Sequence, residues 1–354
     1  MTALHHPTAL APEAPAPARI STPTPDDAFA EVKALMLHLA AGERFERLGA
    51  IVQEHLFANG KGLRGRLAMA TLDALRADPQ HRVPWAAACE LLHNATLIHD
   101  DVQDGDVWRR GRYAVWVRHG KAQAINAGDL LLMLPYIAVE HIQTDDATRW
   151  RLSRAIARRA EKTVRGQSHE MSLLGTQQWT WPAYIAAATG KTSALFALPV
   201  EGAALLAGRD PVDAQLLADC FEHVGLLFQM QDDVIDLYGD KGRRAPGNDI
   251  REGSVTALVV EHLERHPEEE EEVISVLARH RDETTDEDVA HLTRRFDESG
   301  ALDAVLERID RIAQRTLDDP ILDRAPALRA VAEGALDKAL RPIDALKIAR
   351  GGQS

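Results

Sequence analysis

The spacing of apolar residues constrains the fold of this chain more than any other feature. From Phe29 onward, apolar side chains recur every three or four positions, as one face of an α-helix requires, and convincing β alternation is missing. Breakers such as "GRDP" at 208–211 and "DDP" at 318–320 interrupt this pattern. The spacing predicts an all-α protein with helices near residues 28–58, 64–77, 83–105, 120–143, 147–174, 179–206, 211–239, 254–265, 268–281, 286–297, 299–317 and 325–349.

Length and composition fit a globular chain with a short tail. With 354 residues, 45% of them hydrophobic, the chain can bury a sizeable core. Residues 1–27 are rich in proline and alanine, lack the features of a signal peptide, and are expected to be a disordered tail. Residues 28–354 are expected to form a single all-α domain.

Charge, cysteine content and apolar run length indicate which partners and which cellular location this chain can have. A formal net charge of −13 argues against a nucleic-acid partner, which normally requires a basic surface. Cys89 and Cys220 cannot form a disulfide framework and lie in apolar helical segments, which predicts buried thiols and a cytoplasmic location. No run reaches the roughly 18 uninterrupted apolar residues of a spanning helix, so no transmembrane segment is expected.

Two D-D-x-x-D motifs each follow an apolar helical run. They comprise Asp100, Asp101 and Asp104 in the first motif, and Asp232, Asp233 and Asp236 in the second. On a helix, residues i and i+4 share a face and i+1 lies about 100° away, so each motif presents a compact carboxylate cluster. Crowded carboxylates raise one another's pKa unless cations neutralise them, and magnesium usually binds carboxylates together with phosphate oxygens. The motifs therefore predict a magnesium site for a phosphorylated substrate.

A single motif of this kind is more often a solvated helix end. Two copies, each after a run that ought to be buried, favour a functional cavity, because buried aspartates are costly without partners. Basic residues occur nearby in "NGKGLRG" at 59–65, "WRRGR" at 108–112 and "GKTSALF" at 190–196. A single pair of basic residues usually belongs to the solvated surface, and a single histidine such as His93 is usually a core residue. The joint occurrence of these basic segments and His93 around two aspartate clusters predicts anion binding.

Taken together, these strings resemble the trans-isoprenyl diphosphate synthases of the polyprenyl synthetase family, over about residues 28–350. The matching strings are "GKGLRG", "ELLHNATLIHDDVQDGD", "RRGR", "AINAGDLLL", "GQSHE", "YIAAATGKTSALF", and "FQMQDDVIDLYGD" followed by "GND". The resemblance implies an isoprenoid synthase fold, with helices around a deep cavity, and a homodimer. It also implies a prenyltransferase that condenses isopentenyl diphosphate with an allylic prenyl diphosphate to give a longer all-trans product.

The resemblance further implies roles for individual residues. All six motif aspartates would hold magnesium, with three ions per active site. The catalytic group would be Asp100, Asp101, Asp104, Lys191 and Asp232. Isopentenyl diphosphate would contact Gly60, Lys61, Arg64, His93 and Arg110. The allylic diphosphate and its reaction zone would involve Arg109, Lys191, Thr192, Gln229 and Arg244.

The chain departs from the family pattern at two places. Tyr113 and Ala114 follow "RRGR" where the family usually has Pro-Thr, which is expected to alter a loop rather than the chemistry. Ser254 stands where the family has a lysine that helps to bind the allylic diphosphate, and the loss of this cation is expected to weaken allylic binding or slow ionisation.

The family sets product length largely through side chains just before the first motif. In this chain they are Leu92, Ala95 and Thr96. Ala95 and Thr96 are small where aromatic residues would stop a growing chain early. Products of C20 or longer are therefore favoured, with C15 still open.

Two other functions stay open. A class I terpene cyclase would ionise an allylic diphosphate without isopentenyl diphosphate, but it would have no use for Lys61, Arg64 and Arg110. A non-catalytic partner subunit of a prenyl synthase would be expected to have lost aspartates from one motif, whereas this chain keeps all six.

Overall fold

The computed structural model describes residues 25–42, 47–58, 60–239 and 246–351. These residues form seventeen α-helices: α1 Pro25–Ala40, α2 Arg47–Phe57, α3 Leu63–Ala74, α4 Arg82–Gln103, α5 Val115–His119, α6 Lys121–Glu140, α7 Asp146–Leu173, α8 Trp181–Ala188, α9 Ala194–Leu206, α10 Pro211–Tyr238, α11 Asn248–Arg251, α12 Ala257–Arg265, α13 Glu270–Leu277, α14 Asp286–Glu298, α15 Ala301–Leu317, α16 Ala327–Leu340 and α17 Asp344–Gly351. Short 3₁₀ turns lie at Pro79–His81, Pro267–Glu269, Arg281–Glu283, Pro320–Arg324 and Arg341–Ile343, and a π-helical turn, Thr189–Ser193, joins α8 to α9. Two short antiparallel strands, β1 Trp108–Arg109 and β2 Arg112–Tyr113, complete the fold.

The all-α prediction is confirmed, with local corrections. The helix predicted at 28–58 is two helices, and Gly42, with a φ of +61°, follows the end of α1. The helix predicted at 325–349 is interrupted near Pro342, which lacks the N–H that a continuous helix requires. The predicted disordered tail lies outside the described residues, except for residues 25–27, which begin α1.

The core is built around α4, α9 and α10. Trp85 of α4 is fully buried, and its indole N–H donates to the carbonyl of Pro199 in α9 at 3.0 Å. Gly202 of α9 faces the same indole ring, and a Cβ at this position would overlap with it. Glycine at 202 therefore lets α9 pack closely against α4, while Phe221 of α10 is buried in the same cluster.

Both aspartate motifs lie at the C-terminal ends of core helices. Asp104 is the C-cap of α4, and its backbone N–H donates to the Asp100 carbonyl at 2.8 Å. The second motif occupies the last two turns of α10, before Gly239 caps the helix. These two ends line the same cavity.

One helix in the described part of the chain, α6, is by length and composition apolar enough to cross a membrane, a property shared with buried core helices. Its inner face, with Leu131 and Leu134, is buried in the core cluster. Its outer face exposes Ile125, Met133 and Ile137. The helix therefore belongs to the core and carries an apolar stripe on its outer side.

Candidate active site

A cavity of about 1800 Å³ lies between the ends of α4 and α10. Its wall includes carboxylates from both aspartate motifs, among them Asp100 and Asp232. Apolar side chains such as Leu92, Leu195 and Phe228 form another part of the wall. A cavity of this kind suits a ligand with one charged end and one hydrocarbon end.

The three aspartates of the first motif have different surroundings. Asp100 and Asp104 line the cavity, and burial raises the pKa of Asp100 to about 6. Asp101 is buried beside Arg109, whose Nε donates to Asp101 Oδ1 at 2.6 Å. Burial also raises the pKa of Asp101 to about 6, and its Oδ2 has no hydrogen-bond partner among the described residues. Asp100 and Asp104 therefore present carboxylates to the cavity, while Asp101 holds Arg109 in place.

The aspartates of the second motif also differ in their surroundings. Asp232 lines the cavity. Asp233 also reaches the wall, but its oxygens accept hydrogen bonds from the Tyr184 hydroxyl at 2.7 Å, the Ala257 N–H at 2.8 Å and Gln229 Nε2 at 2.9 Å.

Asp236 is buried and accepts the backbone N–H of Asp249 at 3.0 Å. Its carboxylate thereby fixes the segment that follows α10. Asp232 and Asp233 thus line the cavity, whereas Asp236 is not part of the cavity wall.

Lys191 faces the first motif from the π-helical turn. Gly166 of α7 and Gly190 are in such close backbone contact that a Cβ on either would overlap with the other. This contact places Lys191 beside α7, where its Nζ forms an ion pair with Glu170. Burial alone would lower the pKa of Lys191, but the carboxylates of Glu170, Asp100 and Asp104 raise it above its ordinary value. Lys191 is therefore a permanent cation on the cavity wall.

Thr192, the next residue of the turn, links two helices through polar contacts. Its hydroxyl donates to Gln229 Oε1 at 2.8 Å, and Gln229 Nε2 donates to Asp233. Both Thr192 and Gln229 line the cavity. This chain of hydrogen bonds fixes the orientation of the Gln229 amide.

A second cationic region lies around Arg64. Its Nη1 lies 3.2 Å from His93 Nε2, and its guanidinium stacks over Phe196 with 4.5 Å to the ring centroid. Burial lowers the pKa of Arg64 to about 10 and lowers the pKa of His93 and of the neighbouring His55. Arg64 Nε, His93 Nδ1 and His55 Nε2 are buried without hydrogen-bond partners among the described residues. Buried unpaired nitrogens beside a guanidinium favour an anionic ligand here.

Arg110 extends this cationic region toward the glycine-rich segment. Its guanidinium lies over Gly60, where a Cβ would come 2.6 Å from Arg110 Cζ, and its Nη1 donates to the Ala58 carbonyl at 3.4 Å. Glycine at 60 thus allows the close approach of Arg110. Lys61 is exposed and is not part of the cavity wall.

A scan against family models matches the polyprenyl synthetase family over residues 46–295. This chain belongs to the polyprenyl synthetase family. It is 36% identical over 210 residues to a short chain isoprenyl diphosphate synthase of Methanocaldococcus jannaschii, covering 59% of this chain and 64% of that relative. It is 32% identical over 282 residues to the short chain isoprenyl diphosphate synthase of Methanothermobacter thermautotrophicus, covering 79% of this chain and 86% of the relative.

A crystal structure with the same fold is that of a polyprenyl synthase from Caulobacter crescentus complexed with calcium and isoprenyl diphosphate. The TM-score is 0.76 and the identity 27%, covering 88% of this chain and 94% of the other. The predicted family, the isoprenoid synthase fold and the prenyltransferase class of enzyme are confirmed.

The other predicted site residues fall in three groups. Leu92, Thr96 and Arg109 lie on the cavity wall. Ala95 is fully buried and is not among the lining residues. Arg244 lies outside the described residues.

Arg281 is a cavity residue that the sequence analysis missed. Its guanidinium donates to the Asp104 carbonyl at 2.8 Å and to Glu252 Oε1 at 3.0 Å. It also donates to Asn248 Oδ1 at 2.6 Å and to Asp106 Oδ1 at 3.3 Å. Arg281 therefore ties the end of the first motif to the segment that follows the second. The predicted helix at 268–281 ends at Leu277 in the structure, so Arg281 belongs to a separate 3₁₀ turn, and no motif in the sequence distinguished it.

Proposed function

We propose that this chain is a magnesium-dependent trans-prenyltransferase that condenses isopentenyl diphosphate with an allylic prenyl diphosphate. The observation that carries this proposal is the presence of two separate cationic regions beside one cavity. Lys191 lies beside Asp100 and Asp104 of the first motif, whereas Arg64 lies with His93 and Arg110. Two such regions suit two diphosphates, and the apolar wall suits a prenyl tail. The names of the relatives support the same chemistry.

We propose that Asp100, Asp104 and Asp232 are direct ligands of magnesium. Their carboxylates line the cavity and offer the oxygen atoms that this ion prefers. The raised pKa of Asp100 reflects a buried carboxylate that a bound cation would stabilise. Magnesium, when bound, would neutralise charge on the departing diphosphate. Asp101, Asp233 and Asp236 would serve the site by holding Arg109, Gln229 and the segment after α10.

On the allylic side, Lys191 and Arg109 stabilise the negative charge that develops on the leaving diphosphate. The allylic C–O bond breaks, and its electron pair leaves with the diphosphate. The apolar wall around Leu195 and Phe228 keeps water away from the resulting carbocation.

On the other side, Arg64, His93 and Arg110 hold the diphosphate of isopentenyl diphosphate, with Gly60 and Lys61 in the neighbouring glycine-rich segment. Its alkene attacks the carbocation and forms the new C–C bond. Loss of a proton to the released diphosphate restores a double bond in the product. Thr192 and Gln229 line the cavity in which this reaction would occur.

A double variant tests the assignment of the first motif. Asp100→Ala with Asp101→Ala should abolish product formation, because both the metal ligand and the anchor of Arg109 are lost. Circular dichroism should show an unchanged helical content. Undiminished turnover in this variant would contradict the proposal.

We propose a product of C20 or longer. Leu92 and Thr96 line the cavity on the turns before Asp100, and neither side chain is aromatic. Thr96→Phe should shorten the main product by at least one C5 unit, as measured by chromatography of the dephosphorylated products. An unchanged product length would show that the growing prenyl chain does not end beside Thr96.

We propose that the protein acts as a cytoplasmic homodimer. The exposed apolar stripe of Ile125, Met133 and Ile137 on α6 supports a protein interface. The buried free thiols of Cys89 and Cys220 are consistent with a reducing compartment.

A further inference from the structure

The hairpin that carries Arg109 and Arg110 has an unfavourable turn. Arg109 pairs with Arg112, so the loop contains only Arg110 and Gly111, with φ values of +52° and +75°. Positive φ at both loop residues is typical of a type I′ turn, for which asparagine and glycine are preferred. Arginine is disfavoured in this backbone region, so the turn requires support from the rest of the hairpin.

The next cross-strand pair, Trp108 and Tyr113, supplies such support. Their rings stack with centroids 4.2 Å apart and an angle of 25° between planes. Below this pair, the Ala114 N–H donates to the Val107 carbonyl at 2.8 Å, and Trp116 Nε1 donates to the Asp106 carbonyl at 2.8 Å. The stack thus lies between the strained turn and an anchored base.

The two arginines reach different parts of the site from this hairpin. Arg109 donates to Asp101 of the first motif. Arg110 lies over Gly60 and donates to the Ala58 carbonyl. Because side chains alternate along a strand, the face that bears Trp108 and Tyr113 is opposite the face that bears Arg109 and Arg112. The aromatic pair can therefore stabilise the hairpin backbone without taking the space that the two arginine side chains occupy.

We propose that Trp108 and Tyr113 form a clasp that positions Arg109 and Arg110 toward the two diphosphates. This role rests on the proposed function. Both residues are 51% exposed, so burial in the core does not account for them, and Trp108 also lines the cavity. Tyr113 is one of the two departures from the family pattern, and the stack gives that departure a role in the site.

The test uses three alanine variants: Trp108→Ala, Tyr113→Ala and the double variant that carries both substitutions. Tyr113→Phe, which keeps the aromatic ring, is compared with them. Trp150→Ala is the matched control, because Trp150 is an exposed tryptophan of α7 outside the cavity wall. The first readout is calorimetric binding of inorganic pyrophosphate in EDTA, which probes the cationic groups alone. The second is the KM for isopentenyl diphosphate, measured separately from kcat.

Each alanine variant should bind pyrophosphate about two- to tenfold more weakly and raise the KM by a similar factor, as expected for loss of one aromatic pair. The double variant should be no worse than the single variants, because the two rings act as one unit. Tyr113→Phe and Trp150→Ala should match the wild type. Melting temperatures of all variants identify any effect that comes from global unfolding.

Wild-type pyrophosphate affinity in both alanine variants would overturn the proposal. So would a loss in Tyr113→Phe as large as that in Tyr113→Ala, because the stack would then not be the cause. If the wild type formed no product but its pyrophosphate affinity still depended on the stack, the proposed function would fail and the clasp would stand.

Discussion

The six aspartates of the two motifs differ in what surrounds them. Asp232 lines the cavity, whereas Asp233 accepts hydrogen bonds from Tyr184, Gln229 and the backbone of Ala257. In the sequence the two residues are equivalent neighbours, because Tyr184 and Ala257, which bind Asp233, belong to other helices distant along the chain. The motif could therefore be predicted from the sequence, but not the different surroundings of its aspartates.

This difference predicts opposite outcomes for two matched variants. Asp233→Ala should lower the free energy of unfolding by about 1–3 kcal/mol, because it leaves buried donors unpaired. Asp232→Ala should abolish turnover with a smaller loss of stability, because Asp232 is only partly buried whereas Asp233 is buried. Urea unfolding and product assays measure both quantities, and equal losses of stability in the two variants would contradict the assignment.

His55 predicts a pH effect on stability. Burial and the nearby arginines lower its pKa to about 3, from an ordinary value of 6.5. Below pH 6.5 the unfolded chain binds a proton at this residue and the folded chain does not, so stability falls as the pH falls from 6.5 toward 3.

In His55→Gln, the slope of unfolding free energy against pH should decrease in this window, by up to about 1.4 kcal/mol per pH unit. The slope rather than the absolute stability is the readout, because the substitution also alters packing. Identical slopes for the two proteins would show that His55 does not remain neutral when folded.

Among the secondary-structure elements, regular helices were the most predictable. Apolar spacing and end signals locate α7 and α10 closely, with Asp145 and Asp210 as N-caps whose side chains accept backbone N–H groups. The hairpin of β1 and β2 was missed, because its turn places Arg110 where sequence rules expect asparagine or glycine. The π-helical turn was also missed, because it depends on the tertiary contact between Gly166 and Gly190.

That contact predicts different results for two glycine substitutions. Gly166→Ala should destabilise the protein by about 1–3 kcal/mol, because its Cβ would overlap with the backbone of the turn that carries Lys191. Gly334→Ala, in the exposed part of α16, should stabilise it by about 0.5–1 kcal/mol, since nothing lies within 4 Å of the new Cβ. Thermal unfolding measures both, and a tolerated Gly166→Ala would show that the turn is not set by backbone contact.

At the scale of the whole molecule, the exposed apolar stripe on α6 predicts a dimer interface. A single charged side chain introduced into this stripe should weaken the dimer. Ile137→Glu should raise the dimer dissociation constant at least about tenfold, because an unpaired charge in an apolar interface is costly. Ile348→Glu, at an exposed isoleucine of α17, is the control and should leave the dimer intact. Analytical ultracentrifugation measures both, and a monomeric wild type at micromolar concentration would contradict the prediction.

The most direct test of the central claim is product analysis with the purified wild-type chain. The protein is incubated with isopentenyl diphosphate and, in turn, C5, C10, C15 and C20 allylic diphosphates, with magnesium or with EDTA. We expect elongated all-trans prenyl diphosphates, with C20 or longer dominating, only in the presence of magnesium. A cyclised product, or no product from any primer with magnesium present, would contradict the assignment of the chain as a prenyl diphosphate synthase.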